Sequence, residues 1–283
     1  MNEMNELTRG FGSDFVLTLL TDDPTLAAHA AAAGVQRIGP DLEQLGKQER
    51  QSTGGTRVSF HDEACLPLIR DVIGDATLFA RLNPINPDTP EEIERLLAQG
   101  VGNLMLPYFH KLDEVKRFVD LVAGRAIVTP LVETAAAAVQ IEEIARLPGV
   151  DEIHVGLTDM MLSLKTHSRF HIMASWFMSG LAETVHCCGK PLHLAGIARL
   201  NDERLPLSAD VILAQYPRLG AHGALLTRVF VDGIETAEDF QTEIKATRDR
   251  LDYWGQAPKS FLDEQHQTLT RLAADTGEGP SIP

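Results

Sequence analysis

The chain is poor in cysteine and in aromatic residues. It contains only three cysteines, Cys65, Cys187 and Cys188, and no CxxC pair. Adjacent cysteines rarely form a disulfide, because the linkage strains the peptide between them, so reduced thiols are expected. We interpret Cys187 and Cys188 as small buried side chains leading into a strand, rather than as a soft metal site with His186 and His193. Aromatic residues make up 6% of the chain, so aliphatic side chains must build its core.

Basic residues and long hydrophobic runs are also scarce. Lys and Arg number 25 against 40 Asp and Glu, which gives a formal net charge of −15. An acidic surface repels nucleic acid and anionic membranes, and no segment concentrates basic residues, so neither partner is expected. The first apolar run, 15–20, is too short for a signal core or a membrane span. These absences favour a cytoplasmic enzyme.

The sequence does contain a regular alternation of short β-rich segments with alanine- and leucine-rich helical segments. From residue 15 to residue 230 this alternation predicts parallel strands joined by right-handed crossovers. Eight such strands close an α/β fold, the (β/α)₈ TIM barrel, which commonly forms one unit of about 250 residues. The predicted strands are 15–21, 35–39, 78–83, 103–107, 126–133, 152–156, 192–197 and 224–230. A ninth β-like stretch, 57–60, is assigned to an active-site loop.

Helix signals occur where the crossovers require them. Proline near the start and glycine after the end bracket predicted helices at 25–33 and 93–99. Amphipathic spacing predicts further helices at 112–122, 135–146 and 210–219. Two additional helical segments, 236–254 and 261–274, follow the last strand.

The additional helices suggest a division of the chain into four parts. We expect a flexible N-terminus at 1–12, a catalytic barrel at 13–235, a helical extension at 236–275 and a disordered tail at 276–283. Helices appended to a barrel often cover it or exchange between subunits, so a homo-oligomer is expected.

Polar residues at the predicted strand ends indicate where chemistry would occur, because barrel enzymes build their sites from the C-terminal ends of strands. These residues are Asp41, Glu43, Arg81, Asn83, Glu133 and Asp159. Carboxylates crowded at one mouth raise one another's pKa and oppose ionisation, a conflict that a divalent cation resolves. Carboxylate oxygens with water and a chelating substrate suit Mg²⁺ or Mn²⁺.

Four motifs carry a resemblance to a known family: Leu106-Pro107, Val132-Glu133-Thr134, Gly149-Val150-Asp151 and Gly156-Leu157-Thr158-Asp159-Met160. In this order and spacing the chain resembles the HpcH/HpaI aldolase and citrate lyase beta-subunit family over residues 15–230. Its members are metal-dependent barrels of the pyruvate and phosphoenolpyruvate superfamily that cleave or form bonds next to an enolate or thioester. The resemblance implies Glu133 and Asp159 as metal ligands, and substrate binding at Gly156, Leu157 and Thr158.

The resemblance also implies roles around the second and third strands. Arg81 matches an arginine that holds the substrate carboxylate or keto oxygen, a task that suits guanidinium geometry. Asp41 would order the site, and Glu43 would contact metal-bound water. Lys47 and Arg50 accompany this motif in the lyase-like branch and would bind substrate. The structural alternative is a salt-bridged loop for the second-strand motif and an ordinary ion pair for Arg81.

One position departs from the aldolase pattern. The hydroxy-diacid aldolase branch has a histidine base directly after its second-strand motif, whereas this chain has Gln44. His61, beside Asp62, is a candidate replacement, because a histidine with a near-neutral pKa is a natural proton shuttle. The alternative is a solvated loop histidine.

Together these features predict a metal-dependent enzyme that makes or breaks a carbon–carbon bond next to a pyruvate-type enolate. Its substrates would be a 2-oxo acid and an aldehyde. The closest alternative is a lyase for a citryl- or malyl-type acyl-CoA, which Lys47 and Arg50 favour but which would need a basic patch for the nucleotide phosphates. A third is a catalytically silent barrel that binds a small acid as a sensor or assembly subunit.

Overall fold

The structure, a computed structural model, describes residues 10–51, 61–202 and 205–275. Within these ranges eight parallel strands pair in sequence order and close a barrel, which confirms the predicted (β/α)₈ architecture. The strands are β1 Val16–Leu20, β2 Arg37–Gly39, β3 Thr77–Arg81, β4 Asn103–Leu106, β5 Ile127–Val132, β6 Ile153–Val155, β7 Leu192–Ile197 and β8 Gly223–Leu226. The predicted β-like stretch 57–60 lies outside the described residues.

Helices connect the strands and continue beyond the last one. Those up to β6 are α1 Phe11–Asp14, α2 Pro24–Ala32, α3 Lys47–Gln51, α4 Leu66–Val72, α5 Thr89–Ala98, α6 Leu112–Val122, α7 Ala135–Ala138 and α8 Ile141–Arg146, with a 3₁₀ turn at Glu63–Cys65. The later ones are α9 Thr158–Leu164, α10 Arg169–Ala174, α11 Trp176–Cys187, α12 Ala209–Leu213, α13 Gln215–Arg218, α14 Arg228–Val231, α15 Ala237–Gly255 and α16 Lys259–Asp275.

Two predicted helices are each split in the structure, and both breaks have a local cause. In 135–146 the Gln140 side chain donates a hydrogen bond to the Ala136 carbonyl at 2.7 Å, the group that helical Gln140 N–H would bond. In 210–219 Pro217 has no N–H for the Leu213 carbonyl, so the helix is interrupted between α12 and α13.

Two other predictions are wrong in part. The eighth strand ends at Leu226 rather than at residue 230, because Thr227 caps α14 by accepting a hydrogen bond from the Phe230 N–H. Cys187 is not a buried residue entering a strand, since it ends α11 and is exposed. All three cysteines are free, as expected.

The interior of the barrel has an apolar middle. Phe79, Met105 and Leu131 form a cluster there, with Leu20 packed against it, separate from the main core that includes the apolar faces of the crossover helices. Polar side chains above and below this middle layer are therefore kept apart by packed hydrocarbon.

The C-terminal helices cover the barrel of their own chain. Helix α15 packs against α1, α2 and α12, and α16 packs against α10, α12 and α13. Arg248 on α15 donates to the carbonyl of Gly12 at 2.6 Å, and Gly12 N–H donates to Asp252 at 2.7 Å. A homo-oligomer remains a prediction. None of the helices in the described parts of the chain is long and apolar enough to cross a membrane.

Candidate active site

The acidic residues predicted from the strand ends meet at the C-terminal mouth of the barrel. Asp41 follows β2, and its backbone forms an isolated parallel β-bridge with Arg81 at the end of β3. Glu133 directly follows β5, and Asp159 lies in the first turn of α9, after β6. Because parallel strands all end at one rim, residues far apart in sequence are brought together there.

The carboxylate of Asp41 accepts hydrogen bonds from two positively charged side chains. Arg81 donates from Nε to Oδ1 at 2.8 Å and from Nη2 to Oδ2 at 2.5 Å, and Lys47 Nζ donates to Oδ2 at 2.5 Å. Lys47 Nζ also lies 3.3 Å from Glu43 Oε2. Burial raises the pKa of the Asp41 carboxyl, but Arg81 and Lys47 outweigh that effect and hold it below its usual range. Asp41 is therefore ionised and fixed.

Arg50 on α3 links the second-strand motif to Asp159. Its Nη2 donates to Glu43, its Nη1 donates to the Leu45 carbonyl at 3.2 Å, and its Nε lies 3.4 Å from Asp159 Oδ1. The guanidinium carbon sits 3.6 Å from the centre of the Tyr108 ring. All three nitrogens of Arg50 thus have partners, as the structural alternative of a salt-bridged loop requires.

Glu133 has a different environment from Asp41. Its Oε1 accepts a hydrogen bond from the Tyr108 N–H at 3.0 Å. Burial and the neighbouring carboxylates of Glu43 and Asp159 together raise the pKa of Glu133 to about 8, and they outweigh the opposing effects of Arg81 and of the Tyr108 N–H. A Cβ added at Gly156 would lie 3.0 Å from Glu133 Oε2, so glycine leaves space beside this oxygen.

His61 lies against the same motif, but its geometry is not that of a free base. Its Nδ1 accepts a hydrogen bond from the Asp41 N–H at 3.0 Å, so the proton of the neutral ring is on Nε2. Nε2 lies 3.7 Å from Asp22 Oδ1, and burial lowers the pKa of His61. Neutral His61 therefore has no lone pair available for proton abstraction in this arrangement.

The loop that carries Gln44 is hydrogen-bonded to Asn83, in the segment that follows β3. Asn83 Oδ1 accepts from the N–H of Gln44 at 2.9 Å and of Leu45 at 3.1 Å, while Asn83 Nδ2 donates to Glu92 at 3.0 Å. Gln44 Nε2 reaches the His61 carbonyl at 3.4 Å. Asn83 thus fixes the loop in which a histidine base would stand in the aldolase pattern.

Sequence reasoning missed Tyr108 and Asp22. Tyr108 connects Arg50 to Glu133, and its φ of +44° is a conformation that non-glycine residues rarely adopt. No periodicity marks it; the available signal was its position directly after Leu106-Pro107 at the end of β4. Asp22 follows β1 at the same rim and faces His61.

The donor set fits a cation that takes most of its ligands from outside the protein. No group of three or more His, Cys, Asp and Glu side chains within the described ranges could hold a metal ion by itself. The described mouth nevertheless has more buried carboxylates than cations: Asp41, Glu43, Glu133 and Asp159 against Lys47, Arg50 and Arg81. Two carboxylates with water and substrate oxygens suit Mg²⁺ or Mn²⁺.

Fold and site together define a (β/α)₈ barrel with an acidic, partly ion-paired mouth. A scan against protein-family models finds no match, and a search of curated proteins finds none. Solved structures do share the fold. An HpcH/HpaI aldolase/citrate lyase family protein from Burkholderia cenocepacia is 17% identical with a TM-score of 0.60, over 85% of this chain and 94% of that one.

Two further solved structures give the same result. A citrate lyase beta subunit from M. tuberculosis, complexed with oxaloacetate and magnesium, is 19% identical with a TM-score of 0.58, over 85% of this chain and 98% of that one. An HpcH/HpaI aldolase from Desulfitobacterium hafniense is 14% identical with a TM-score of 0.56, over 87% and 95%. At these identities the likeness shows the fold, which agrees with the fold that the resemblance implied.

Proposed function

We propose that this protein is a divalent-metal-dependent carbon–carbon lyase or aldolase that acts through a pyruvate-type enolate. The observation that carries the proposal is Glu133, a buried carboxyl at the barrel mouth whose pKa is raised to about 8 by burial and by Glu43 and Asp159. A carboxyl whose ionisation is disfavoured by its own site is typical of functional rather than structural positions.

Glu133 and Asp159 would hold the cation, and Glu43 would contact it through water. A bound Mg²⁺ or Mn²⁺ would draw electron density from the carboxylate and keto oxygens of a 2-oxo acid, which lowers the energy of the enolate. Solved neighbours support this choice of cation, since a citrate lyase beta subunit of the same fold is complexed with oxaloacetate and magnesium. The space beside Glu133 Oε2, left by Gly156, would admit the ligand oxygens.

Arg81 would bind the substrate through the nitrogen that Asp41 leaves available. Asp41 uses Nε and Nη2, whereas Nη1 has no hydrogen bond to any described residue and is not a fully buried atom. A guanidinium with two of its nitrogens fixed presents the third in one direction, which suits a carboxylate or keto oxygen. Asp41 and Lys47 thus act by orienting Arg81.

The three residues after β6 would contribute in two ways. The Gly156 N–H donates to the Val132 carbonyl at 3.1 Å, so Gly156 contributes space rather than a hydrogen bond. The N–H groups of Leu157 and Thr158 make no hydrogen bond that the described residues show, and they lie at the start of α9 beside Asp159. They would donate to substrate oxygens.

The proton transfers require one base. In the cleavage direction a base removes the proton of the 4-hydroxyl group, the bond between carbons 3 and 4 breaks to release an aldehyde, and carbon 3 takes up a proton. His61 could serve as that base only after its Nδ1 leaves the Asp41 N–H. In the arrangement seen, it holds the second-strand loop in place.

The acyl-CoA lyase is the second candidate, and the fold shared with a citrate lyase beta subunit favours it. Lys47 and Arg50, which suggested this activity in the sequence, are committed to Asp41, Glu43 and Asp159 in the structure. The aldolase reaction on a free hydroxy-2-oxo acid is therefore the better-supported proposal.

The test is to incubate the protein with Mg²⁺ or Mn²⁺ and a panel of hydroxy-2-oxo acids and acyl-CoA esters. We expect release of pyruvate from a hydroxy-2-oxo acid, lost on chelation and in Glu133→Ala and Asp159→Ala. Asp249→Ala, on the exposed face of α15, is the matched control and should retain activity. Release of free CoA would select the acyl-CoA lyase, and no product from any compound would favour a non-catalytic barrel.

A further inference from the structure

Tyr108 occupies a strained position directly beside the proposed metal carboxylate. Its φ of +44° places it in the left-handed region, which costs a non-glycine residue free energy and persists only where surrounding contacts enforce it. Tyr108 follows β4 at the barrel mouth, between the buried residues Pro107 and Phe109. A strained backbone at the barrel mouth indicates that the orientation of the Tyr108 peptide groups contributes to the site.

The backbone of Tyr108 aims its N–H at Glu133. The bond to Oε1 is 3.0 Å long and fixes one oxygen of a carboxylate that has no cation bonded to it among the described side chains. The orientation of the Glu133 carboxylate therefore depends on the peptide plane that the left-handed conformation of Tyr108 sets.

The ring of Tyr108 supplies an enforcing contact. The Arg50 guanidinium lies over it at 3.6 Å, within the range of a cation–π interaction, and Arg50 is itself anchored by Glu43 and Asp159. The edge contact to His110, at 5.0 Å between ring centres, is with an exposed residue. Tyr108 thus contacts the guanidinium on α3 through its ring and the carboxylate after β5 through its backbone N–H.

We propose that Tyr108 is a positioning residue for the metal site: stacking of its ring on Arg50 holds its backbone in the left-handed conformation that directs its N–H to Glu133. The proposal rests on the proposed function only in taking Glu133 as a ligand of the cation. Tyr108, which lies outside the acidic motifs, would then set the orientation of the Glu133 carboxylate.

Three substitutions at position 108 separate the ring from the backbone. Tyr108→Phe keeps the ring and should bind Mn²⁺ within about twofold of the unmodified protein. Tyr108→Gly loses the ring but adopts positive φ without strain, so binding should stay within about threefold. Tyr108→Leu loses the ring and keeps the strain, so binding should weaken by about tenfold or more. Mn²⁺ binding is measured by electron paramagnetic resonance, without substrate.

A matched control exists elsewhere in the chain. Arg250 lies over the ring of Tyr253 at 4.6 Å on α15, so Tyr253→Leu removes a similar stack outside the site and should leave Mn²⁺ binding unchanged. Equal binding by the Phe and Leu variants at position 108, or binding by the Gly variant as weak as that of Leu, would overturn the proposal. Absence of Mn²⁺ binding by the unmodified protein would instead reject Glu133 and Asp159 as metal ligands.

A metal-free measurement keeps the positioning role testable in that case. The chain has three tyrosines, so ¹⁵N-tyrosine labelling gives a simple amide spectrum in which the Tyr108 signal is the one lost in Tyr108→Phe. Removing the stacked cation with Arg50→Met should make the Tyr108 amide exchange with solvent at least about tenfold faster, because its hydrogen bond opens more often. Unchanged exchange would overturn the coupling between ring and backbone.

Discussion

The barrel contains two buried polar clusters, one at each end of its strands. The floor cluster lies at the N-terminal half of the strands. It comprises the buried residues Asn103, Thr129, Glu152 and His193 together with Arg37, whose side chain is 11% exposed. Arg37 Nη2 donates to Glu152 Oε2 at 2.8 Å, and Thr129 Oγ1 donates to Oε1 at 2.6 Å. Because β2 and β6 lie on opposite sides of the barrel, the Arg37–Glu152 pair crosses its interior.

Glu133 and Glu152 are equally buried, but their pKa values are shifted in opposite directions. Both glutamates are 4% exposed, so burial cannot explain the difference in their pKa values. Burial raises the pKa of Glu152 too, but His193 and Arg37 outweigh it and hold that pKa below its usual range. At the mouth, neighbouring carboxylates add to burial and raise the pKa of Glu133 to about 8. The difference between the two pKa values therefore arises from neighbouring charges rather than from depth, and it supports the proposal that the mouth is the functional end.

The largest expected effect is on activity at the mouth. Glu133→Gln keeps the shape of the side chain but removes the proposed metal ligand, so we expect the metal-dependent turnover to fall by more than about 100-fold. The free energy of unfolding of the metal-free protein should stay constant or rise, because a carboxylate repelled by its neighbours is removed. Product release and urea unfolding measure the two effects. A lower free energy of unfolding in Glu133→Gln would contradict the inference that neighbouring carboxylates repel the Glu133 carboxylate.

The floor should show the opposite result. Arg37→Met leaves Glu152 buried without the guanidinium that pairs with it, so we expect the free energy of unfolding to decrease by about 3–5 kcal/mol. Mn²⁺ binding by the folded variant should be unaffected, since the apolar middle separates floor from mouth. Urea unfolding and electron paramagnetic resonance test this pair of outcomes. If Arg37→Met weakened Mn²⁺ binding as strongly as a change at the mouth, the two ends could not be independent.

The two glutamates should also give stability profiles of opposite slope. With its pKa raised, Glu133 binds a proton in the folded state between about pH 4.5 and pH 8 that the unfolded chain has released. Its contribution therefore makes the metal-free protein less stable as pH rises through that window. Glu152, whose pKa is lowered, contributes stability above about pH 4.5 that is lost as pH falls below it.

Urea unfolding across this pH range measures both slopes. Glu133→Gln and saturating Mg²⁺ should each flatten the decline between pH 4.5 and pH 8, the first by removing the titrating group and the second by binding its ionised form. A decline that persists unchanged in Glu133→Gln would assign it to another group.

The smallest effect is expected at His61. The carbonyl oxygen of a glutamine at position 61 can accept the hydrogen bond from the Asp41 N–H, so His61→Gln should keep kcat/KM within about threefold. His61→Leu cannot accept this bond and should lower kcat/KM by about tenfold. A catalytic base would behave differently, since both variants would lose about 100-fold or more. Steady-state kinetics on the substrate found in the panel distinguish positioning from proton transfer.

Much of the fold was predictable because its signals are local. Hydrophobic alternation and the Pro and Gly residues at helix ends predicted all eight strands of the barrel, with ends displaced by a few residues. The helix breaks at Gln140 and Pro217 were not predicted. The break at Gln140 depends on a side-chain hydrogen bond that competes with the helix, which hydrophobic spacing does not reveal. The mouth residues Asp41, Arg81, Glu133 and Asp159 were found because parallel strands end at a common rim.

The sequence by itself determined the barrel and the presence of several carboxylates at its mouth, because periodicity and strand order require no knowledge of distant contacts. Only the tertiary structure decided how the charges pair: Lys47 and Arg50 go to carboxylates, His61 accepts a backbone N–H, and Tyr108 joins Arg50 to Glu133. Pairing depends on distances of a few ångströms between residues remote in sequence, and electrostatic energy falls steeply over such distances in a buried site.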